Sequence, residues 1–184
     1  MNEKILSRVD RLVQPGDFFV TFSDDWFSRP INFFQRIKSP DGEAKYAHAG
    51  FFTSWRGTSY EALWTVGTKD FFAEHAGQYV CIGRHKAITP EKASLGIQRI
   101  RSFYGEGKLY PAYRLLFMLL PGLAKYAPFG RGVCSEITAH FLELCGFWRY
   151  YTGVTPDNIY DWMSDPWNTW VDILYRGKVK EEDE

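Results

Sequence analysis

At 184 residues, 45% of them hydrophobic and 18% aromatic, the chain has the length of one domain and the apolar content of a packed core, which excludes a disordered protein. Lysine plus arginine equals aspartate plus glutamate at 22 each, so no basic excess supplies the face that nucleic-acid binding needs. Cys81, Cys134 and Cys145 form an odd count without a Cys-x-x-Cys pair, which argues against a disulfide framework and a structural zinc site and for reduced thiols.

From the start of the chain, Met1 to Val13 reads as a short amphipathic helix with Ile5, Val9 and Leu12 on one side and no secretory pattern. Pro15-Gly16-Asp17 is a turn into a buried strand, Phe18 to Phe22. Trp26 to Ile37 reads as a helix or loop-helix whose aromatic residues Trp26, Phe27, Phe33 and Phe34 form a cleft wall or core. Lys38 to Lys45 is a surface loop. His48 to Trp55 and Ser59 to Val66 are expected as two strands joined across Arg56-Gly57, with a further strand at Tyr79 to Arg84. Thr89-Pro90-Glu91 opens a helix, with threonine as cap, proline in the first turn and glutamate favouring the dipole. Leu95, Ile97, Ile100 and Phe103 give it an apolar side, and Gly105 and Gly107 end it.

The segment 110–129 is the most apolar, but Pro111, Arg114, Pro121, Lys125 and Pro128 interrupt it, so a transmembrane span is rejected. Its leucine-rich part, Leu115 to Leu123, is expected to form a core helix or dimer face, with an acyl-chain pocket or a membrane-touching lid as the alternative. Gly130-Arg131-Gly132 leads into a helix over about 133–144, stopped at Gly146. Thr155-Pro156-Asp157 opens another helix, and a strand follows at Trp170 to Tyr175. Without regular strand-helix alternation the expected class is α+β, as a single domain over 1–177 followed by a charged, frayed tail over 178–184. The expected location is the cytoplasm, and the oligomeric state stays open.

Cys134 stands where a reactive thiol would stand. The first turn of a helix offers unpaired N–H groups and the positive end of the dipole, both of which favour a thiolate and can hold an oxyanion. Spacing alone leaves the other reading open, a small buried cysteine. Among the four histidines, His140 lies six positions further along the same helix and is turned by about 240° away from the thiol. His75 and His85 sit in polar surroundings that read as solvated surface. His48 opens a strand among small residues, Ala47, Ala49 and Gly50, which leave room for another element, although a satisfied core histidine fits as well. Glu61 on the next strand faces Phe52 if the turn centres on Arg56-Gly57, or His48 if the turn is offset by two. Either register places Glu61 and His48 on one face, where a carboxylate could orient an imidazole, while an edge or solvent-side glutamate remains the plainer alternative.

In chain order, Pro15-Gly16-Asp17, His48-Ala49-Gly50, Tyr60-Glu61-Ala62, Gly107-Lys108-Leu109-Tyr110 and Val133-Cys134-Ser135-Glu136 resemble the circularly permuted branch of the papain-like, NlpC-type superfamily, particularly the YiiX/YaeF-like proteins. The resemblance spans roughly Leu12 to Phe147, with the histidine strand ahead of the thiol helix. It implies a small antiparallel sheet or half-barrel packed against helices, with the nucleophile at a helix N-terminus. It implies Cys134 as nucleophile, His48 as general base, Glu61 as orienting group and the Tyr110 hydroxyl in the oxyanion hole, with Tyr113 as a rival. Members often carry aspartate where this chain has Pro111. The implied activity is cysteine hydrolysis of an amide or ester through a thioester, without metal or organic cofactor. Peptides, cell-wall peptides or lipid acyl groups are the substrate classes, and the membrane is touched at most peripherally through 110–129. A lipid acyltransferase or phospholipase, and a catalytically silent binding module, are the alternatives.

Overall fold

The computed structural model describes residue 6 and residues 12–22, 45–109 and 133–180. The described residues form an α+β fold, with seven strands in one open antiparallel sheet and four helices. In chain order these are β1 (Phe18–Phe22), β2 (Tyr46–Phe52), β3 (Thr58–Ala62), β4 (Thr65–Asp70), α1 (Phe71–Glu74), β5 (Tyr79–His85), α2 (Pro90–Tyr104), β6 (Lys108–Leu109), α3 (Cys134–Leu144), α4 (Pro156–Ser164) and β7 (Val171–Lys178). Across the sheet the order is β6-β4-β3-β2-β1-β5-β7, which puts β2 and β1 in the middle.

Both faces of these central strands are covered. Phe18, Val20, Ala49 and Phe51 join one core with Ile97, Ile100, Ile137, Phe141 and Ile159 from α2, α3 and α4. Phe19, Phe52, Phe71, Val80 and Ile82 form a second core on the opposite face. Residues of both parities are therefore buried, and Phe-Phe-Val-Thr-Phe reads as a continuous apolar run rather than an alternation. No helix among the described residues is long and apolar enough to cross a membrane.

Helix starts follow the expected cap chemistry. Thr89 accepts from the Lys92 N–H ahead of Pro90, and Thr155 accepts from the Asn158 N–H ahead of Pro156. The buried side of α2 differs from the expected stripe: Ala93, Gly96, Ile97, Ile100 and Tyr104 face inward, whereas Leu95 and Phe103 remain 47% and 45% exposed. Close packing explains the choice of small residues. A Cβ at Gly96 would lie 3.0 Å from Phe141 and 3.1 Å from the Cys145 sulfur, so α2 meets α3 at a distance where any side chain would make its neighbours give way.

The run 59–66 is not one strand. The chain reverses after Ala62, and β4 returns along β3 with Ala62 opposite Val66. Between β2 and β3 the register is Gly50↔Glu61, Phe51↔Tyr60 and Phe52↔Ser59, midway between the two expected registers. Glu61 thus opposes Gly50 and keeps the parity of His48. Of the residues expected as a tail, Lys178 belongs to β7, and Val179 is buried in a parallel bridge with Leu6. Leu6 is consequently paired as a strand residue rather than as part of a helix. Leu12 and Val13, the end of the expected N-terminal helix, are described and not helical, whereas residues 1–5 and 7–11, the segment 23–44 with its aromatic residues, the stretch 110–132 and residues 181–184 lie outside the described residues.

Candidate active site

Strand β2 carries an irregularity that aims His48. Its pairing with β1 runs from Phe18↔Phe51 to Thr21↔His48 and then passes over Ala47 to join Phe22 with Tyr46. The extra residue is a β-bulge, a device that re-aims neighbouring side chains. Tyr46 stacks on Tyr160 of α4 at 4.2 Å, while His48 turns to the opposite face beside Phe19, with ring centroids 6.4 Å apart.

A second irregularity makes room for the thiol. Along β2 the N–H groups of odd-numbered residues point at β3, as the Thr53 N–H to Thr58 carbonyl bond of 2.7 Å shows. The Ala49 N–H shares that direction, but the ladder between β2 and β3 ends at Gly50↔Glu61, and Ala62, the last residue of β3, pairs only with Val66 of β4 among the described residues. The two strands fork there, and the Ala49 N–H is directed at the sulfur of Cys134 instead.

Cys134 is the first residue of α3, and the two residues after it hold it in place. The Ser135 hydroxyl donates to the Val154 carbonyl at 2.6 Å. The Glu136 carboxylate accepts from the Val133 N–H at 3.2 Å and from the Gly153 N–H at 2.9 Å, closing the first turn against the loop before α4. The Ser135 N–H joins that of Ala49 in facing the sulfur.

His48 hydrogen-bonds Cys134 and Glu61 at once. Its Nε2 lies 2.6 Å from Glu61 Oε2, which leaves Nδ1 as the ring atom for the thiol. A carboxylate can only accept, so Nε2 carries the proton and the tautomer is determined. Glu61 has no exposed surface, and its other oxygen accepts from the Ser59 hydroxyl two residues earlier on the same strand face. A further donor comes from an unexpected place: His75 Nε2 sits 3.0 Å from the same Glu61 Oε2.

The charges of this group support one another. Burial alone would raise the Glu61 carboxyl, but His75 beside it and the hydrogen bonds from His48 and His75 hold it well below the usual carboxylate range. Burial alone would lower His48; its attraction to Cys134, followed by Glu61, overrides this and pushes it up to about 10. Burial opposes ionisation of Cys134 as well, yet His48 and the two backbone N–H groups bring the thiol below its ordinary value. The other thiols move the opposite way: burial raises Cys81 against the pull of Arg176 and pushes Cys145 up to about 12. The three shifts run in the direction that favours a Cys134 thiolate beside a His48 imidazolium, backed by an ionised Glu61.

His48, Glu61 and His75 also form a cluster of three ligand-type groups whose donor atoms lie within 4.8 Å of one another. Ligand atoms on a tetrahedral zinc with bonds of about 2.1 Å stand roughly 3.4 Å apart, more than the 2.6 Å and 3.0 Å that join both imidazoles to one oxygen here. As placed, the three are wired as two donors on one acceptor. Compared with known proteins, the chain matches no family model and no curated protein.

Three of the four site residues expected from the sequence therefore come together: Cys134, His48 and Glu61. Tyr110, its rival Tyr113 and the whole of 110–129 lie outside the described residues. His140 is kept from the thiol by an unbroken α3 and stacks on Tyr151 at 4.1 Å. The expected solvated surface at His75 and His85 is corrected. His85 is buried against Phe147, with ring centroids 3.7 Å apart, and His75 is 1% exposed between Phe19, Phe71 and Glu61. The missed signal at His75 was its spacing from Phe71: four residues along a helical turn place both on one side, and Phe71 is core. Helix α1, at four residues, is too short for that periodicity to stand out.

Proposed function

We propose that this protein is a cysteine hydrolase that cleaves an amide or ester bond through a thioester on Cys134, on a permuted papain-like fold. One observation carries the reading: a single imidazole, His48, joins a thiol at a helix N-terminus to a fully buried carboxylate. Nucleophile, base and orienting acid are the parts that thiol-based acyl transfer needs, in the order it needs them. The arrival of the histidine strand ahead of the thiol helix, with both beside a forked antiparallel sheet, is what supports the permuted assignment.

In this reaction His48 Nδ1 takes the Cys134 proton, and Glu61 keeps the resulting imidazolium in place through Nε2. The thiolate attacks the carbonyl carbon while the N–H groups at the start of α3 face the developing oxyanion. The C–N or C–O bond breaks as His48 returns its proton to the leaving group. Water then gives a proton to His48, attacks the thioester carbonyl and releases the acid, and the proton passes back to the sulfur.

The test is labelling by a thiol-directed acyl probe between pH 5 and 9, followed by mass spectrometry of each cysteine. Cys134 should label at neutral pH far faster than Cys81 or Cys145, whose thiols are held protonated. His48→Ala should remove the advantage and Cys134→Ala the adduct. Equal labelling of the three thiols in the wild type would sink the proposal.

A further inference from the structure

The hydrogen-bonded chain does not stop at Glu61. We infer that His75 is a positioning residue for this reaction, a second imidazole that pins the same Glu61 oxygen that His48 bonds. The inference rests on the reading of Cys134 as the reacting thiol.

Each contact of His75 serves this role. Its Nε2 donates to Glu61 Oε2 at 3.0 Å, and its Nδ1 faces the Gln78 side-chain amide at 3.0 Å. Phe19 and Phe71 pack on the ring, with centroids at 5.4 Å and 5.1 Å. The backbone is anchored as well: His75 N–H donates to the Phe71 carbonyl, and the Gln78 N–H closes the turn onto the His75 carbonyl, both at 3.0 Å. The Gly77 and Gln78 backbones bond in turn to Val179 beyond β7, at 3.1 Å and 3.0 Å. A side chain held at this many points is not a surface histidine that happens to lie inward.

The chemistry explains why a second imidazole belongs there. A carboxylate without exposed surface stays ionised only where hydrogen-bond donors and nearby positive charge replace the lost water. Ser59 serves one oxygen, and His48 and His75 share the other. Of these donors His48 gains and loses charge at Nδ1 during the reaction while its Nε2 stays on Glu61, so a donor outside the proton transfer steadies the carboxylate through the cycle. His75 has no contact with the thiol among the interactions above and stays where it is while His48 cycles. Gln78 can turn either its oxygen or its NH₂ toward Nδ1, so the Nε2 donor to Glu61 is retained in either ring state.

The experiment is the pH dependence of Cys134 alkylation by iodoacetamide, in the wild type and in His75→Leu, His75→Gln and Gln78→Leu, with Cys81 and Cys145 as internal references. Loss of the His75 donor weakens the hold on an ionised Glu61, so the thiolate–imidazolium pair forms at higher pH. In His75→Leu the midpoint of the acid limb should rise by about one unit, with labelling below it about tenfold slower. His75→Gln, whose amide nitrogen reaches as Nε2 does, should restore most of the profile, and Gln78→Leu should shift it in the same direction by less. Far-ultraviolet circular dichroism checks the fold of each variant, and Gln78→Leu, at the edge of the chain of bonds, keeps the test alive if His75→Leu does not fold. An unchanged profile in folded His75→Leu, or in Gln78→Leu should His75→Leu not fold, overturns the role of His75 while leaving the thiol chemistry intact. A wild-type Cys134 that labels like an ordinary buried thiol removes the reaction itself, and the role of His75 with it.

Discussion

Glu61 is the residue on which the site depends, since three side chains donate to its two oxygens and none of its surface meets water. Glu61→Gln keeps the shape but offers one acceptor oxygen to three donors and adds two donors of its own. Unfolding free energy measured in urea should fall by about 3 kcal/mol, because buried donors are left facing donors. Thiol labelling at neutral pH should fall with it, as the imidazolium loses its counter-charge. This residue was half legible in the sequence. Strand parity put Glu61 and His48 on one face in either expected register, and that holds because the observed register, midway between them, leaves Glu61 opposite Gly50, which shares the parity of His48. His75 was not legible, because a polar stretch after a four-residue helix carries no periodicity, and its partner is brought in from another strand.

At the scale of elements, the site is made by two departures from regular sheet: the bulge at Ala47 and the fork after Gly50. Neither can be read from composition, since a bulge is a matter of pairing and the fork depends on β3 turning back at Ala62. Gly50 shows how tightly the elements close around them. A Cβ there would lie 2.5 Å from the Phe19 ring and 3.0 Å from Glu61 Cβ. Gly50→Ala should therefore destabilise the fold by about 1–3 kcal/mol in urea denaturation. The cost should shrink in a Phe19→Leu background, where the nearest obstacle is smaller; an equal cost in both backgrounds would show that the strain lies elsewhere. The small residues around His48 did suggest a close approach, and the approaching parts are a phenylalanine ring and a carboxylate stem as well as the thiol helix.

For the molecule as a whole, the coupled charges predict how stability follows pH. Glu61 is held low, so its contribution is present above the ordinary carboxylate value of 4.5 and is lost as pH falls below it. His48 is raised from 6.5 to about 10, so its contribution is complete below 6.5 and fades as pH climbs toward 10. Cys134 is lowered from 9.0, so its contribution is complete above 9.0 and fades as pH falls. Between the two ordinary values, 6.5 and 9.0, the last two contributions run in opposite directions and offset one another. Urea midpoints for the wild type minus those for Cys134→Ala should therefore be greatest within the neutral to mildly alkaline range and fall toward acid and toward pH 10. A difference that slopes steadily through the neutral range would rule out the ion pair. The fork carries another consequence for the whole fold. Where β2 and β3 part, two short lengths of strand edge lie inside the sheet, and an open edge is a template for pairing with a foreign chain. The first turn of α3 stands at that seam, with its sulfur on the Ala49 N–H. The proposed reactivity and, among the described residues, cover for that edge thus fall to one turn of helix, and a change that loosens it should expose both at once.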